Sequence, residues 1–101
     1  MKVDVDCTMN GEAEISISLL ERVSREEFEE FTELMRREGF EYDHYDHSNS
    51  FTTDNPRMLK AMLEFLDKEF EVSGTLRGTK KYTWDERDAF VKEFTDLHSG
   101  Q

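Results

Sequence analysis

The residues best suited to metal chemistry lie in one short segment, Asp43-His44-Tyr45-Asp46-His47. Imidazole and carboxylate groups are common ligands of transition metals. In an extended segment alternate residues point to the same side, so His44 and Asp46 would share one face whereas His44 and His47 would not. The third histidine, His98, lies near the other end of the chain and supplies no second pair. We therefore predict no metal site and no cofactor, and interpret the segment as a polar hairpin tip.

Catalytic groups of other kinds lack the surroundings that they need. Cys7 lies between Asp6 and Thr8, whereas a reactive thiolate is stabilised by nearby positive charge, so we predict a buried core thiol. Acid–base catalysis by paired carboxyl groups needs different environments within a cleft, and the acids here are spread over predicted solvent faces. Residues 74–78 lack the pattern of a phosphate-binding loop. The sequence therefore indicates a protein that is not an enzyme.

One basic cluster, formed by Arg77, Lys80 and Lys81, could in principle hold a phosphate. Three cations in so acidic a chain are better explained by internal ion pairs or by a solvated loop. We therefore predict no phosphate site there.

The chain is strongly acidic, and its charge is unevenly distributed. It has 24 acidic and 13 basic side chains among 101 residues, a net charge of −11. Residues 1–50 hold 14 acids and 5 bases, a balance of −9, and residues 51–101 hold 10 acids and 8 bases, a balance of −2. Acidity that served only solubility or growth in high salt would extend throughout the chain. Direct binding to nucleic acids or membranes is disfavoured, because phosphate recognition uses clustered Lys and Arg, and a basic protein partner is favoured instead.

The N-terminal segment has the alternation of a β-hairpin. Apolar and polar residues alternate over residues 3–9 and again over 13–19. A loop at Met9-Asn10-Gly11 would pair Val5 with Ile15 and keep every apolar side chain of both strands on one face.

The remaining elements are marked by helix caps and by aromatic or Thr-rich segments. Helix starts are predicted at the capping box of residues 24–27, at Asp54 or Asn55 before Pro56, and at a second capping box over residues 83–86. Strands are predicted within residues 40–54, with a turn at 47–49, and over residues 72–77.

This order, ββα-ββα-βα, predicts an α+β fold with an antiparallel sheet of four to five strands and helices packed mainly on one face. Residues 1–98 would form a single domain, with a frayed tail at 99–101. A ferredoxin-like βαββαβ unit with an added N-terminal strand and C-terminal helix is the alternative. In that unit the first strand is flanked on both sides, and the N-terminal hairpin strand would compete for one of those places.

Two predicted elements place like charges side by side. On the first helix four glutamates lie three and four residues apart, and in the hairpin the predicted pairing sets Asp6 opposite Glu14. Locally unfavourable choices without a folding benefit are expected at functional sites. The residues that we assign to partner binding are Asp4, Asp6, Glu14, Glu26, Glu29, Glu30, Glu33, Glu41, Asp43 and Tyr45.

We expect a small, soluble, non-enzymatic interaction protein that presents a phosphate-mimicking acidic face to a nucleic-acid-binding protein. By analogy of size and charge, it would be an inhibitor of the anti-CRISPR or anti-restriction type that viruses and mobile elements use. A lone cysteine and the lack of a leader or membrane span favour the cytoplasm, that of the host if the protein is viral. Three alternatives stay open: a small-molecule-binding regulatory domain, a metal-dependent hydrolase at the His44–His47 hairpin, and an acidic housekeeping protein whose charge binds nothing.

Overall fold

Strands and helices alternate in three successive ββα units along residues 1–99, the part of the chain that the computed structural model describes. The strands are β1 (Lys2–Asn10), β2 (Glu12–Leu19), β3 (Glu41–Asp43), β4 (Ser48–Thr53), β5 (Glu71–Arg77) and β6 (Lys81–Thr83). The helices are α1 (Arg25–Arg37), α2 (Pro56–Glu69) and α3 (Arg87–Ser99), the last preceded by a 3₁₀ turn at Trp84–Glu86. The α+β class is confirmed, and no helix in the described part is long and apolar enough to cross a membrane.

Two element boundaries differ from the prediction. Helix α3 includes Ser99, which we placed in a frayed tail, and residues 100–101 lie outside the described part of the chain. Asn49, predicted in a turn, lies in β4 and is buried, because the turn spans the preceding four residues, 44–47.

The six strands of the described chain form one mixed sheet in the order β3-β4-β2-β1-β5-β6. The prediction of four to five antiparallel strands is therefore wrong in two respects. Strand β6 was missed because its three residues contain a single apolar side chain, Tyr82, too few for a visible alternation. The pair β1–β5 is parallel because α2 returns the chain to the same end of the sheet, which makes β5 run in the direction of β4 and β1.

The ferredoxin-like alternative fails at one position. From β2 to β5 the chain does have βαββαβ connectivity. In a ferredoxin-like sheet β2 and β5 would be neighbours, but here β1 lies between them and pairs with both. Strand β1, the N-terminal hairpin strand, thus occupies one of the two places beside β2, and β4 occupies the other.

The hairpin β1–β2 forms with a register two residues away from the predicted one. Val5 pairs with Ile17 rather than with Ile15, and the turn centres on Gly11, whose φ of 79° suits a residue without a Cβ. A slip of two residues keeps the same side chains on the same face, so the hydrophobic pattern does not distinguish the two registers. The observed register also pairs Met9 with Ala13 and adds Met9 to the edge of the core.

All three helices cover the same face of the sheet, as predicted. Its buried strand residues are the apolar Val3, Val5, Cys7, Ala13, Ile15, Ile17, Leu76 and Tyr82 and the polar Asn49. The helices contribute Phe31 and Met35 from α1, Leu59, Met62, Leu63 and Leu66 from α2, and Phe90 and Phe94 from α3 to the same cluster. The other face of the sheet is covered by no helix of the described chain, and we call it the open face.

Helix α1 starts with the predicted capping box. The Ser24 hydroxyl accepts a hydrogen bond from the Glu27 backbone N–H, and the Glu27 carboxylate accepts one from the Ser24 backbone N–H, both at 3.1 Å. The bond from the Ser24 backbone lowers the pKa of Glu27. At α2 the cap is Asn55, with Pro56 in the first turn.

A carboxylate joins the β5–β6 turn to the last helix. Glu93 accepts a hydrogen bond from the Tyr82 hydroxyl at 2.6 Å and another from the Thr79 backbone N–H at 2.7 Å. These bonds, that from Tyr82 foremost, lower the pKa of Glu93 and raise the pKa of Tyr82. The charged form of Glu93 therefore holds β6 against α3.

We predict that Gly74→Ala destabilises the protein by about 1–3 kcal/mol, because there is no space for an added methyl group. A Cβ at this position would lie 2.9 Å from a Trp84 ring carbon and 2.9 Å from the Val5 carbonyl oxygen. Urea unfolding measures the change. Ser73→Ala on the open face is the control, expected within about 0.5 kcal/mol of the wild type, and equal losses in both variants would contradict close packing at Gly74.

We predict that Glu93 makes stability fall in acid. Because its pKa is lowered by folding, its contribution is complete above the ordinary value of 4.5 and is lost as pH falls through the folded-state pKa. The free energy of unfolding, measured by urea titration over this range, should fall less steeply for Glu93→Gln than for the wild type. Glu64→Gln, at an exposed position in α2, should leave the slope unchanged; an unaltered slope in Glu93→Gln would refute the role.

Candidate partner-binding surface

The open face is polar at every described position, and its acidic side chains lie on β3, β2, β1 and β5, with only hydroxyl side chains on β4. Strand pairing places one row across the whole sheet: Glu41, Ser50, Ser16, Asp6, Thr75 and Thr83. In the next row Asp43 pairs with Ser48, and Asp4 pairs with Ser18 and Ser73. The acids of the open face are thus set apart by small hydroxyl side chains.

The predicted acids of the hairpin share this face but not the predicted pairing. Asp6 lies opposite Ser16 and Thr75, and Glu14 lies opposite Thr8 and Thr52. The expected repulsion between directly opposed Asp6 and Glu14 is therefore absent, a consequence of the two-residue difference in register. Asp6 is the only one of these acids with an ion pair among the described residues, 3.6 Å from the Arg77 guanidinium.

The β3–β4 turn brings Asp43 and Tyr45 to one corner of the sheet. The Asp43 carboxylate accepts hydrogen bonds from the backbone N–H groups of Tyr45 and Asp46, at 2.7 and 3.3 Å. The Tyr45 side chain is 96% exposed and makes no packing contact that would explain its size. Large exposed aromatic residues of this kind are frequent anchors in protein interfaces.

The four glutamates of α1 lie on the opposite side of the sheet. Phe31 and Met35 point into the core beneath the covered face, so Glu26, Glu29 and Glu30 point away from the sheet. Glu33 is exposed on the same helix. The ten predicted binding residues therefore form two separate surfaces rather than a single acidic face.

The α1 surface is partly neutralised by its own arginines. Glu29 pairs with Arg25 at 3.1 Å, and Glu33 pairs with Arg36. These pairs are largely exposed and each contributes less than about 1 kcal/mol, but they leave Glu26 and Glu30 as the unpaired carboxylates of the set.

The histidine segment forms the polar tip of the β3–β4 hairpin, with its turn at residues 44–47 instead of the predicted 47–49. The Tyr42 hydroxyl lies 3.2 Å from His47 Nδ1, and the Tyr42 ring meets the His44 ring edge-on at a centroid distance of 4.9 Å. The positive φ of His47, 53°, places it in the left-handed region where the chain reverses. Residues 1–99 contain no group of three or more His, Cys, Asp or Glu arranged to hold a metal ion.

The three cations of the basic cluster stay close together around the β5–β6 turn, but each has a different environment. Arg77 in β5 pairs with Asp6, Lys80 lies in the turn with its ammonium 5.2 Å from the centre of the Tyr82 ring, and Lys81 begins β6. The prediction of internal pairing is confirmed for Arg77. The predicted loop is wrong for Lys81, which lies opposite Arg77 in the sheet.

Sequence reasoning missed the serines between the acids. Ser16, Ser18, Ser48 and Ser50 lie side by side on β2 and β4, all half-buried on the open face. Their spacing of two residues along each strand was visible in the sequence. The sequence did not show that β2 pairs with β4, and this pairing brings the serines of the two strands together.

The largely apolar groove near the chain start is small. Met1, Phe31, Leu34 and Phe70 line it together with Glu27 and Glu30, and it encloses about 210 Å³. Typical small-molecule pockets measure about 300–1,000 Å³. This groove therefore lies below the usual size of a small-molecule site, whereas an open cleft between α2 and α3, lined by Lys60, Asp88 and Val91 among others, measures about 360 Å³.

Cys7 is the predicted core thiol. It is fully buried on the covered face, and burial, reinforced by Asp6 and Glu14, raises the pKa of its thiol to about 12. At neutral pH it is therefore protonated as well as inaccessible, and both properties oppose reaction as a nucleophile.

We predict that Cys7 reacts with an aromatic disulfide reagent at pH 8 roughly a thousandfold more slowly in the native protein than in urea, because its pKa is raised to about 12. Absorbance of the released thiolate measures both rates. Similar rates in the two states would show that the thiol is reachable without unfolding.

The chain matches no known protein-family model, no curated protein and no solved structure. Its function is therefore inferred from the positions, charges and contacts of its own side chains.

Proposed function

We propose that this is a non-enzymatic protein that binds a basic partner through the carboxylates of its N-terminal half. The observation that carries the proposal is the charge pattern of the open face. Over β3, β4, β2 and β1 this face holds six acids and one base, Lys2, whereas Arg77 and Lys81 lie at the β5–β6 edge. The six acids are Asp4, Asp6, Glu12, Glu14, Glu41 and Asp43.

The side chains of this face suit recognition better than catalysis. Asp4, Glu14 and Glu41 are exposed and form no ion pair with another described residue. Their solvent exposure keeps the cost of forming a new contact low, and their summed field attracts a basic surface before contact is made. Such attraction falls steeply with salt, since the screening length is about 8 Å at physiological ionic strength.

The specific form that we propose is an inhibitor that occupies the nucleic-acid site of a nucleic-acid-binding protein. Carboxylates would take the positions of phosphates, as in the anti-CRISPR and anti-restriction proteins of viruses and mobile elements, and the protein would act in the cytoplasm of the host. The negative sign of the open face over β1 to β4 supports this form. The protein itself would bind neither nucleic acid nor membrane.

We predict that acids of the N-terminal half contribute far more to partner capture than the same number in the C-terminal half. One variant neutralises Asp4, Glu26, Glu30 and Glu41 as Asn or Gln; the matched variant neutralises Asp54, Glu64, Glu69 and Asp88, which are also exposed. Each immobilised protein is incubated with extract of the cells that produce it, at about 0.1 M salt where screening is modest. Quantitative mass spectrometry should show a nucleic-acid-binding protein retained by the wild type and the second variant and lost from the first.

Adding duplex DNA or RNA to the captured complex distinguishes a nucleic-acid mimic from a general acidic adaptor. A mimic's partner is released by nucleic acid at a constant salt concentration, whereas an adaptor's partner is released only by salt. Equal loss in both charge variants would contradict the proposal, as would retention that survives high salt.

A further inference from the structure

At the centre of the acidic open face, four serines lie between the carboxylates of β1 and those of β3, and we call this strip the trench. Its floor is formed by Ser16 and Ser18 on β2 and by Ser48 and Ser50 on β4. A serine side chain has one heavy atom beyond Cβ, so the backbone of a partner can come close to this part of the sheet. The hydroxyl groups both donate and accept hydrogen bonds, which lets the floor satisfy polar groups above it.

Carboxylates stand on both sides of this floor. Asp4 and Asp6 on β1 form one wall, and Glu41 and Asp43 on β3 form the other. The walls are three strand spacings apart, about 14 Å, and the two acids within each wall are about 6.6–6.8 Å apart along the strand.

Both walls retain capacity for cations. Asp4 and Glu41 form no ion pair within residues 1–99. The Oδ1 atom of Asp6 is shielded from solvent and lies 3.6 Å from the Arg77 guanidinium, so only the other carboxylate oxygen of Asp6 is open to a partner. The backbone bonds to Asp43 involve a single oxygen, Oδ1, which leaves the other available.

These dimensions match an α-helix with basic side chains on its flanks. A helix is about 10–12 Å wide with its side chains, and residues four apart are separated by about 6 Å along its axis. Laid between the walls, it would direct one i,i+4 pair of Arg or Lys to Asp4 and Asp6 and another to Glu41 and Asp43.

We infer that the trench is the docking site for a basic helix of the partner, with small or polar residues facing the serine floor. This inference rests on the proposed function, since it specifies which of the two acidic surfaces makes the specific contact. It assigns Glu26 and Glu30 of α1 a part in long-range attraction only. Tyr45, at the corner beside Asp43, is placed to contact one end of the helix.

The test is a ¹⁵N–¹H correlation titration of the full chain with a designed helix. The probe is a blocked, Ala-based peptide of about 18 residues, long enough to be helical, with two i,i+4 Arg pairs on opposite flanks. Amide shifts are expected at Ser16, Ser18, Ser48 and Ser50. Neutralising Asp4, Asp6 and Glu41 as Asn or Gln should weaken binding roughly tenfold, the sum expected of three partly exposed charge pairs.

A second variant and two controls keep the result interpretable. Ser16→Lys with Ser50→Lys leaves every acid in place but fills the floor with cations, and should abolish binding. Neutralising Asp54, Glu64 and Glu69 removes the same number of charges elsewhere and should change affinity less than twofold, as expected for distant exposed sites. A peptide of equal composition broken by a central proline should bind roughly tenfold more weakly than the helix, because it cannot hold both Arg pairs in register.

Three results would overturn the inference: equal binding of the proline peptide, absence of shifts in the floor, or loss of binding on neutralising Glu26 and Glu30 instead. In the last case the proposed function would stand with a different surface. Failure of the charge asymmetry in partner capture would remove the proposed function itself, whatever the peptide does.

Discussion

The whole sheet depends on β1, which pairs with β2 on one side and with β5 on the other. Val3, Val5 and Cys7 point inward from this strand and are completely buried. Fully burying side chains of this size contributes about 1.5–3 kcal/mol each. Without β1 the halves β3-β4-β2 and β5-β6 would share no strand, and the three helices would have no continuous surface to cover.

The same strand also determines where the charge lies. Because every inward position of β1 is apolar, Asp4 and Asp6 must point to the open face. The first helix covers the inner face, and its glutamates consequently point in the opposite direction. The uneven charge of the sequence thus becomes two acidic surfaces separated by the sheet and its core. A partner bound to one of these acidic surfaces would contact that surface directly, and the other surface would act on it only through its electrostatic field.

Features governed by neighbouring residues could be predicted from the sequence. The capping box at Ser24, the hairpin turn at Gly11 and the burial of Cys7 each follow from a few adjacent residues, and each is present. The hairpin register could not be derived, because two registers that differ by two residues bury the same face. The place of β1 between β2 and β5 was equally hidden, since a parallel pair joined through two other units leaves no local signal.

In the candidate site, too, some features could be predicted from neighbouring residues and others depend on pairing between distant strands. The types of its acids were apparent, but the serine floor requires the pairing of β2 with β4 across α1 and β3. The assignment of α1 and the hairpin to one face failed for a related reason. Helical spacing shows which side chains are exposed without showing on which side of the sheet the helix will pack.

The central position of β1 has a consequence for how the chain folds. Its pairing joins Val5 to Gly74, so the second edge of β1 is covered only after residues about 70 positions later in the chain have been ordered. Contacts so distant in sequence slow folding, because much of the chain must be ordered before they form. Until then β1 presents an unpaired edge, and its neighbouring carboxylates repel the edges of other nascent copies. The acidic residues of the open face therefore place like charge close to that edge, which disfavours its pairing with another copy of the chain.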